Sequence, residues 1–457
     1  MSPFLMGGEG GIQGIIQWMF FLVVIMFIFP KLYFYQIFSK LESSAKKLEK
    51  LSKESQALLI DKTIKYGRPK KHLRDTVSRV VDFFMIPPVS LDPFGIIKRI
   101  EHLINNTEDR FKQITFDMTP NAGSEKQMDV YMGLQATIMI EMIAKIVRHY
   151  VEIVKKFKNL QIGMLIQMQL PMIEEIAEAE RLGLEAFLNE QAIGDAIGPM
   201  TIASLISEEG TEVAQEVLAT TTTKWGRKVT FLKAKGPGGR LGKLGEAVEK
   251  VCAKNRIAKI ITIDAAAKLE GEKTGSVAEG VGAAIGGAGV QKSQIEDAAI
   301  KRKIPLEAFA IKMSQFEAIS PMPEEVVNSI KTTTEMLKER VKDTKPGAHI
   351  LVVGVGNTCG VGNTNKGMDK LVEKIKKEAR RIKKEKEKKE KGFFKKKGAD
   401  ANIAQILYGA GSPVRFDMTP RLSNLRPGES RSDRNCRFDM FKNHNEHIDG
   451  TLGMFER

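Results

Sequence analysis

The chain reads as an α/β protein, a three-layer, mostly parallel sheet with flanking helices, preceded by a transmembrane helix, a stalk and a helical hairpin. Three observations predict this. Ile350-Leu-Val-Val353 is an unbroken apolar run between Pro346-Gly347 and the glycines Gly354 and Gly356, as expected of a strand buried on both faces at the centre of a parallel sheet. From Gly194 onward short apolar runs alternate with helical patterns, as βαβ units do. Residues 10–30 carry no charge and are rich in Phe, Ile, Met and Val, enough to cross a bilayer as one helix.

Residues 1–30 contain no Lys or Arg, which excludes a cleaved signal peptide with its basic start. Twelve Lys and Arg between residues 31 and 74 put the body in the cytoplasm by the positive-inside rule. The expectation is a single-pass cell-membrane anchor over 1–38, with residues 12–30 in the bilayer. Residues 39–126 follow as a helical stalk and linker. Leu41, Leu48, Leu51, Leu58 and Leu59 approximate a heptad, which suits a short coiled coil and oligomerisation through the stalk. An amphipathic helix ending at residues 80–86 packs on its neighbours or dips into the membrane surface. Residues 127–191 form a helical hairpin broken near Asn159; Met164, Met168 and Met172 share a face as adaptable core, and His149 is structural.

The α/β domain spans 192–365, with strands at 228–233, 257–263, 309–313 and 350–353. A helix follows Asp195 and another starts at Arg240. Of the net charge of +15, +10 falls in 366–398, with 14 Lys and 2 Arg against 6 acidic residues. That charge density predicts a Lys-rich helix without an apolar face, accessory to the fold. Residues 399–457 lack apolar periodicity and read as a disordered tail. Within it Phe416-Asp-Met-Thr-Pro420 repeats Phe116-Asp-Met-Thr-Pro120, and Phe438-Asp-Met440 repeats its start. Cys252, Cys359 and Cys436 are odd in number and far apart, which excludes a disulfide framework and fits a reducing compartment.

Nucleotide motifs fail on spacing. Gly236-Pro-Gly-Gly-Arg-Leu-Gly-Lys243 has one residue too many for a P-loop and no Ser or Thr after the lysine. Gly354-Val-Gly356 leads to a Lys-rich helix rather than a strand with an acidic ribose ligand. The helix start at Arg240 offers a generic anion site. Of six histidines only His349 lies in the α/β region, which disfavours a His-based metal site. No cofactor is called for, although carboxylates alone could hold a hard divalent cation. Two acids remain at the carboxyl edge of the sheet: Asp264 ends a strand and Asp195 begins a helix. A close pair of carboxyls shares one proton, one activating water while the other protonates a leaving amine; as isolated residues they would cap a helix and a loop.

Gly194-Asp-Ala-Ile-Gly-Pro199 resembles the Gly-Asp-Ala-Leu-Gly-Pro motif of the bacterial spore germination protease family, and Ile263-Asp-Ala265 resembles its Ile-Asp-Ala motif. Ile350-Leu-Val-Val-Gly-Val-Gly-Asn-Thr358 is similar to the first strand of the nickel–iron hydrogenase maturation endopeptidases, which share that fold. The resemblance covers residues 192–365 and implies that Asp195 and Asp264 are catalytic, with Gly194, Gly354, Gly356, Asn357 and Thr358 near the substrate. In those families the glycine strand precedes the first aspartate motif. Here it follows, which implies a circular permutation with strand 350 central and beside Asp195. From the anchor to about residue 390 the chain also resembles an uncharacterised archaeal family of membrane-anchored proteins.

Three functional readings follow: a membrane-anchored peptidase or amidase using the two aspartates, a non-catalytic scaffold or sensor binding a ligand or a protein or peptide partner at the same edge, and an RNA- or ribosome-docking factor contacting nucleic acid through 366–397.

Overall fold

A computed structural model describes residues 10–23, 26, 28–83, 95–286 and 289–407 of the chain. Met1–Glu390 form one compact unit and Lys391–Arg457 another. The second and third Phe-Asp-Met motifs, and the expected tail beyond residue 407, lie outside the described residues.

Among the described residues of the first half there are six α-helices: α1 (Gly10–Val23), α2 (Phe29–Thr63), α3 (Lys70–Val80), α4 (Ile96–Met118), α5 (Ser124–Phe157) and α6 (Leu160–Leu188). The hairpin is α5 and α6. Lys158 ends α5 in a left-handed conformation, and the Asn159 side chain caps α6 by accepting the Ile162 N–H at 3.1 Å. On α2 the residues Leu41, Ala45, Leu48, Ser52, Ser55 and Leu59 are buried, a four-and-three spacing that marks one seam. Its upper part packs on Ala144, Val147 and Val151 of α5 and on Leu170 and Ala177 of α6. The heptad expected of a free stalk is therefore covered by the chain's own hairpin. Among the described helices of at least 18 residues, α5 alone is long and apolar enough to span a bilayer, with mean hydropathy 1.5, and half of that window is buried. The centre of a helix bundle passes the same test as a membrane span. The run at 10–30, expected as one helix, is described as α1 and the start of α2, with residues 24, 25 and 27 outside the described set.

The second half is built on a seven-stranded sheet. Its strands are β1 (Thr211–Ala214), β2 (Val217–Lys224), β3 (Arg227–Ala234), β4 (Lys259–Ala267), β5 (Val277–Val281), β6 (Leu306–Met313) and β7 (His349–Gly354), in the order β1-β2-β3-β7-β4-β6-β5. The inner four are parallel; β1, β2 and β5 add antiparallel edges. The apolar strand is central, as its composition requires: all six of its residues are buried. Ile350 and Val352 face a core shared with α7 (Ile197–Leu205) and α11 (Glu324–Lys342), while Leu351 and Val353 face one shared with α8 (Leu244–Lys254) and α9 (Val290–Arg302). This gives the three layers.

Differences from the sequence reading have local causes. β2 was not foreseen because its Ala-Thr-Thr-Thr-Thr-Lys run lacks an apolar period; it is half-exposed and held by its ladder to β3. The helix expected from Arg240 starts at Leu244, since Gly242 turns left-handed (φ +68°) and Lys243 donates its N–H to Gln215 O at 3.1 Å. The Lys-rich helix, α12 (Met368–Leu407), is not free of apolar contacts: Ile375 is buried, and Met368, Leu371 and Val372 pack on the same core as α7. Its first two turns belong to the domain.

Candidate active site

Parallel strands present their carboxyl ends together, and side chains there face a crevice at the sheet edge. Two glycine-bearing segments interlock at this edge. Gly198, in the first turn of α7, sits on the ends of β4 and β7, where a Cβ would strike the carbonyls of Val355 and Ile263. Reciprocally, a Cβ on Gly354 would meet Gly198 O at 2.6 Å. Pro199 fits because the first helical turn needs no N–H donor. This close contact fixes the short turn Gly194–Ala196 just before α7. Gly356 passes that turn at φ +129°, a conformation reserved for glycine, and its missing side chain leaves room for the Asp195 carbonyl. The next N–H, from Asn357, donates to Asp195 Oδ2 at 2.7 Å.

Asp264 arrives from β4. It shares the sheet face of Ile260, toward α8 and α9, because strand side chains alternate. Its Oδ1 accepts the Ala265 N–H at 2.7 Å, and the Gly286 N–H also reaches it. Asp264 is buried, at 4 % exposure. Burial first, and the charge of Asp195 second, hold its carboxyl well above the usual carboxylate range. Burial also raises Asp195, against the opposing pull of the Asn357 N–H.

Both carboxyls line a cleft of about 360 Å³, walled by Leu241, Gly242, Ile285, Gln291 and the start of α10 (Gln315–Ile319). A second cavity of about 380 Å³ adjoins it along Leu241, Gly242, Gly286 and Gln291; its far wall is α4 and α5, including Asn105 and Tyr131. The helical module thus closes one side of the groove.

Of the residues expected near a substrate, Gly356 lines the cleft. Gly194, Gly354, Asn357 and Thr358 are buried behind it. Gly194 packs against the Glu317 carbonyl. Asn357 turns its Oδ1 to the Cys359 N–H, and Thr358 Oγ1 bonds the carbonyls of Lys235 and Gly238 at 3.0 and 2.8 Å. They position the site rather than face into it. His349 sits at the opposite end of β7, its Nε2 2.7 Å from Thr230 Oγ1. The contribution of residues 282–286 was missed; its sequence signal is the small-residue run Gly282-Ala-Ala-Ile-Gly286 between an edge strand and a helix.

The expected anion site at residues 236–240 is already filled. Gly238 N–H donates to Glu125 Oε2 at 2.7 Å and Gly239 N–H to Asp129 Oδ1 at 3.0 Å, both carboxylates from the first turns of α5. Arg240, almost wholly buried, pairs with Glu125 and reaches Ser124 Oγ at 3.0 Å. Among the described residues no three His, Cys, Asp or Glu side chains converge as a metal site.

The fold and cleft define a mixed α/β protein that gathers a buried and a partly buried carboxyl at the edge of its parallel strands and roofs them with a helical module. The chain belongs to the DUF1512 family: residues 15–190 match the N-terminal domain of this protein of unknown function, and 193–362 its C-terminal domain of unknown function. No curated protein and no solved structure matches it.

Proposed function

We propose that the protein is a membrane-anchored hydrolase of amide bonds, a peptidase or amidase, in which Asp195 and Asp264 divide the work of base and acid. The observation that carries this is the pair itself: two carboxyls raised by burial, one further raised by the other's charge, in one open cleft. Environments that push two carboxyls apart assign their roles. Asp264, held the higher of the two by its burial and by the charge of Asp195 despite the N–H groups of Ala265 and Gly286, keeps its proton, and Asp195 is the ionised partner that takes a proton from water. Water oxygen bonds to the carbonyl carbon, the C–N bond breaks, and the Asp264 proton leaves with the amine. The order of motifs around this edge fits a circularly permuted spore-protease-like domain.

Anchoring is supported by the N-terminal helix. Trp18, Phe20, Phe21 and Leu22 are all more than half exposed, and an exposed helix this apolar is suited to lipid. The charges that follow favour a cytoplasmic body.

The test is to incubate detergent-solubilised full-length protein with a peptide library and read new termini by mass spectrometry. Asp264→Asn and Asp195→Asn should each reduce cleavage by roughly a thousandfold or more. Because a raised carboxyl pKa weakens the fold once pH exceeds the unfolded value, Asp264→Asn should also stabilise the protein at neutral pH, by on the order of 1 kcal/mol. Absence of cleavage by the native protein, or cleavage indifferent to both substitutions, sinks the proposal.

A further inference from the structure

The tip of the α5–α6 hairpin is Lys155-Lys-Phe-Lys158. Phe157 is 65 % exposed, an unusual place for a phenylalanine, and the neighbouring Leu165 and Met168 on α6 are as open. Bundle packing fixes where this tip lies. Gly163 has no side chain, and a Cβ there would touch Ile37 of α2 at 3.3 Å and Val154 of α5 at 3.5 Å. Leu160 and Ile162 join the core that holds Phe34 and Phe38. The tip is therefore level with the first turns of α2, directly after the proposed anchor. That end of α2 is itself open and apolar, with Phe29, Leu32 and Tyr35 exposed and Lys31 beside them. The acidic residue nearest the tip, Glu152, lies 3.7 Å from Arg148 and 3.6 Å from Lys155, so the tip keeps a positive face. Aromatic rings and lysines together at one level are the composition of a lipid headgroup interface.

We propose that the hairpin tip is a second membrane contact, seating Phe157 and Leu165 in the headgroup region of an anionic bilayer while Lys155, Lys156 and Lys158 meet lipid phosphates. Continuity with the anchor and the sign of the charge select this occupant over a second protein copy. Two points of attachment would hold the bundle at a fixed tilt, whereas a single span leaves it to swivel. The inference rests on the anchor in the proposed function, and its test separates the two.

The chain has two tryptophans, Trp18 in α1 and Trp225 in the β2–β3 turn. In the native full-length protein, reconstituted in vesicles with brominated acyl chains, quenching of Trp18 reports the anchor alone. Trp18→Phe leaves Trp225 as background, and Trp18→Phe with Phe157→Trp then reports the tip. The expected result is quenching above background in vesicles of equal anionic and zwitterionic phospholipid. It should weaken in purely zwitterionic vesicles and fall to background when Lys155, Lys156 and Lys158 are all changed to Gln, since each lysine contributes roughly a fivefold preference for the anionic surface. Tip quenching no greater than background in anionic vesicles, or equal quenching in both lipids, overturns the proposal whatever Trp18 shows. A blue-shifted, concentration-dependent emission from the tryptophan introduced at the tip, seen in detergent without lipid, also overturns it, in favour of self-association.

Discussion

Two glycine-rich turns leave the carboxyl ends of the adjacent strands β3 and β7, and they have opposite fates. The turn after β7 uses Gly354 to pack on Gly198 and Gly356 to bring backbone against Asp195, and the cleft beside it stays open. The turn after β3, Gly236-Pro-Gly-Gly239, offers N–H groups as an anion cradle would, yet Glu125 and Asp129 of α5 already occupy them. Both turns spend N–H groups on carboxylates, and they differ in that the crevice beside the first stays open. Here one such turn borders the cleft proposed for chemistry, and the other is the socket that joins the helical module to the sheet domain.

Substitution at each turn separates these roles. Gly356→Ala places a Cβ against the Asp195 carbonyl at a φ that side chains rarely adopt, costing about 3 kcal/mol. Because the strain falls on Asp195, any hydrolytic activity should drop more than the melting temperature does; intact activity with lowered stability would break the link between this turn and the cleft. Arg240→Met empties the socket's cation and leaves Glu125 unpaired. Glu125 is more than a third exposed on its side chain, so the cost is discounted to about 2 kcal/mol. Limited proteolysis between α6 and α7 should accelerate while any cleavage that depends on Asp195 and Asp264 is unchanged. If activity falls in parallel, the socket also shapes the groove that α4 and α5 wall.

The contrast explains what the sequence could disclose. The central place of β7 was legible because four consecutive apolar residues fit only a strand covered on both faces. Asp195 and Asp264 were legible as a pair through their motifs, which carry glycines whose packing the structure accounts for. The socket was not, because its partners Glu125 and Asp129 lie more than a hundred residues upstream in a helix, and nothing local distinguishes them from surface acids. The same reason hid the burial of the α2 heptad: a seam at four-and-three spacing specifies a helical neighbour but not whether it comes from the same chain. β1 and β5 were invisible because edge strands need no apolar period, and β2, paired between β1 and β3, because its threonine run supplies none.

The comparison is sharpened further at Lys233, at the root of the socket, where an amine is buried with little to compensate its charge. Lys233 pairs across the sheet with Gly354 and is about 1 % exposed. Its Nζ donates to Ala234 O at 2.8 Å and to Asn363 Oδ1 at 2.9 Å, and the same oxygen accepts the Gly236 N–H at 2.8 Å. Both acceptors are neutral, and burial pushes the amine down to about 7, with Glu209, which accepts from the Asn363 amide at 2.8 Å, pulling the other way. An unfolded lysine keeps its proton to about pH 10.4. Between those values the unfolded chain binds more protons than the folded one, so stability should rise with pH, by at most about 1.4 kcal/mol per unit from this group. Lys233→Met removes the titration but keeps the bond from Gly236 to Asn363. It should flatten the rise between pH 7 and 9, an effect of up to about 2 kcal/mol, in denaturant melts taken at each pH. An unchanged slope would mean that the amine stays charged in the fold, with water or a rearranged Glu209 beside it, and that the socket's root is wetter than its bonds imply.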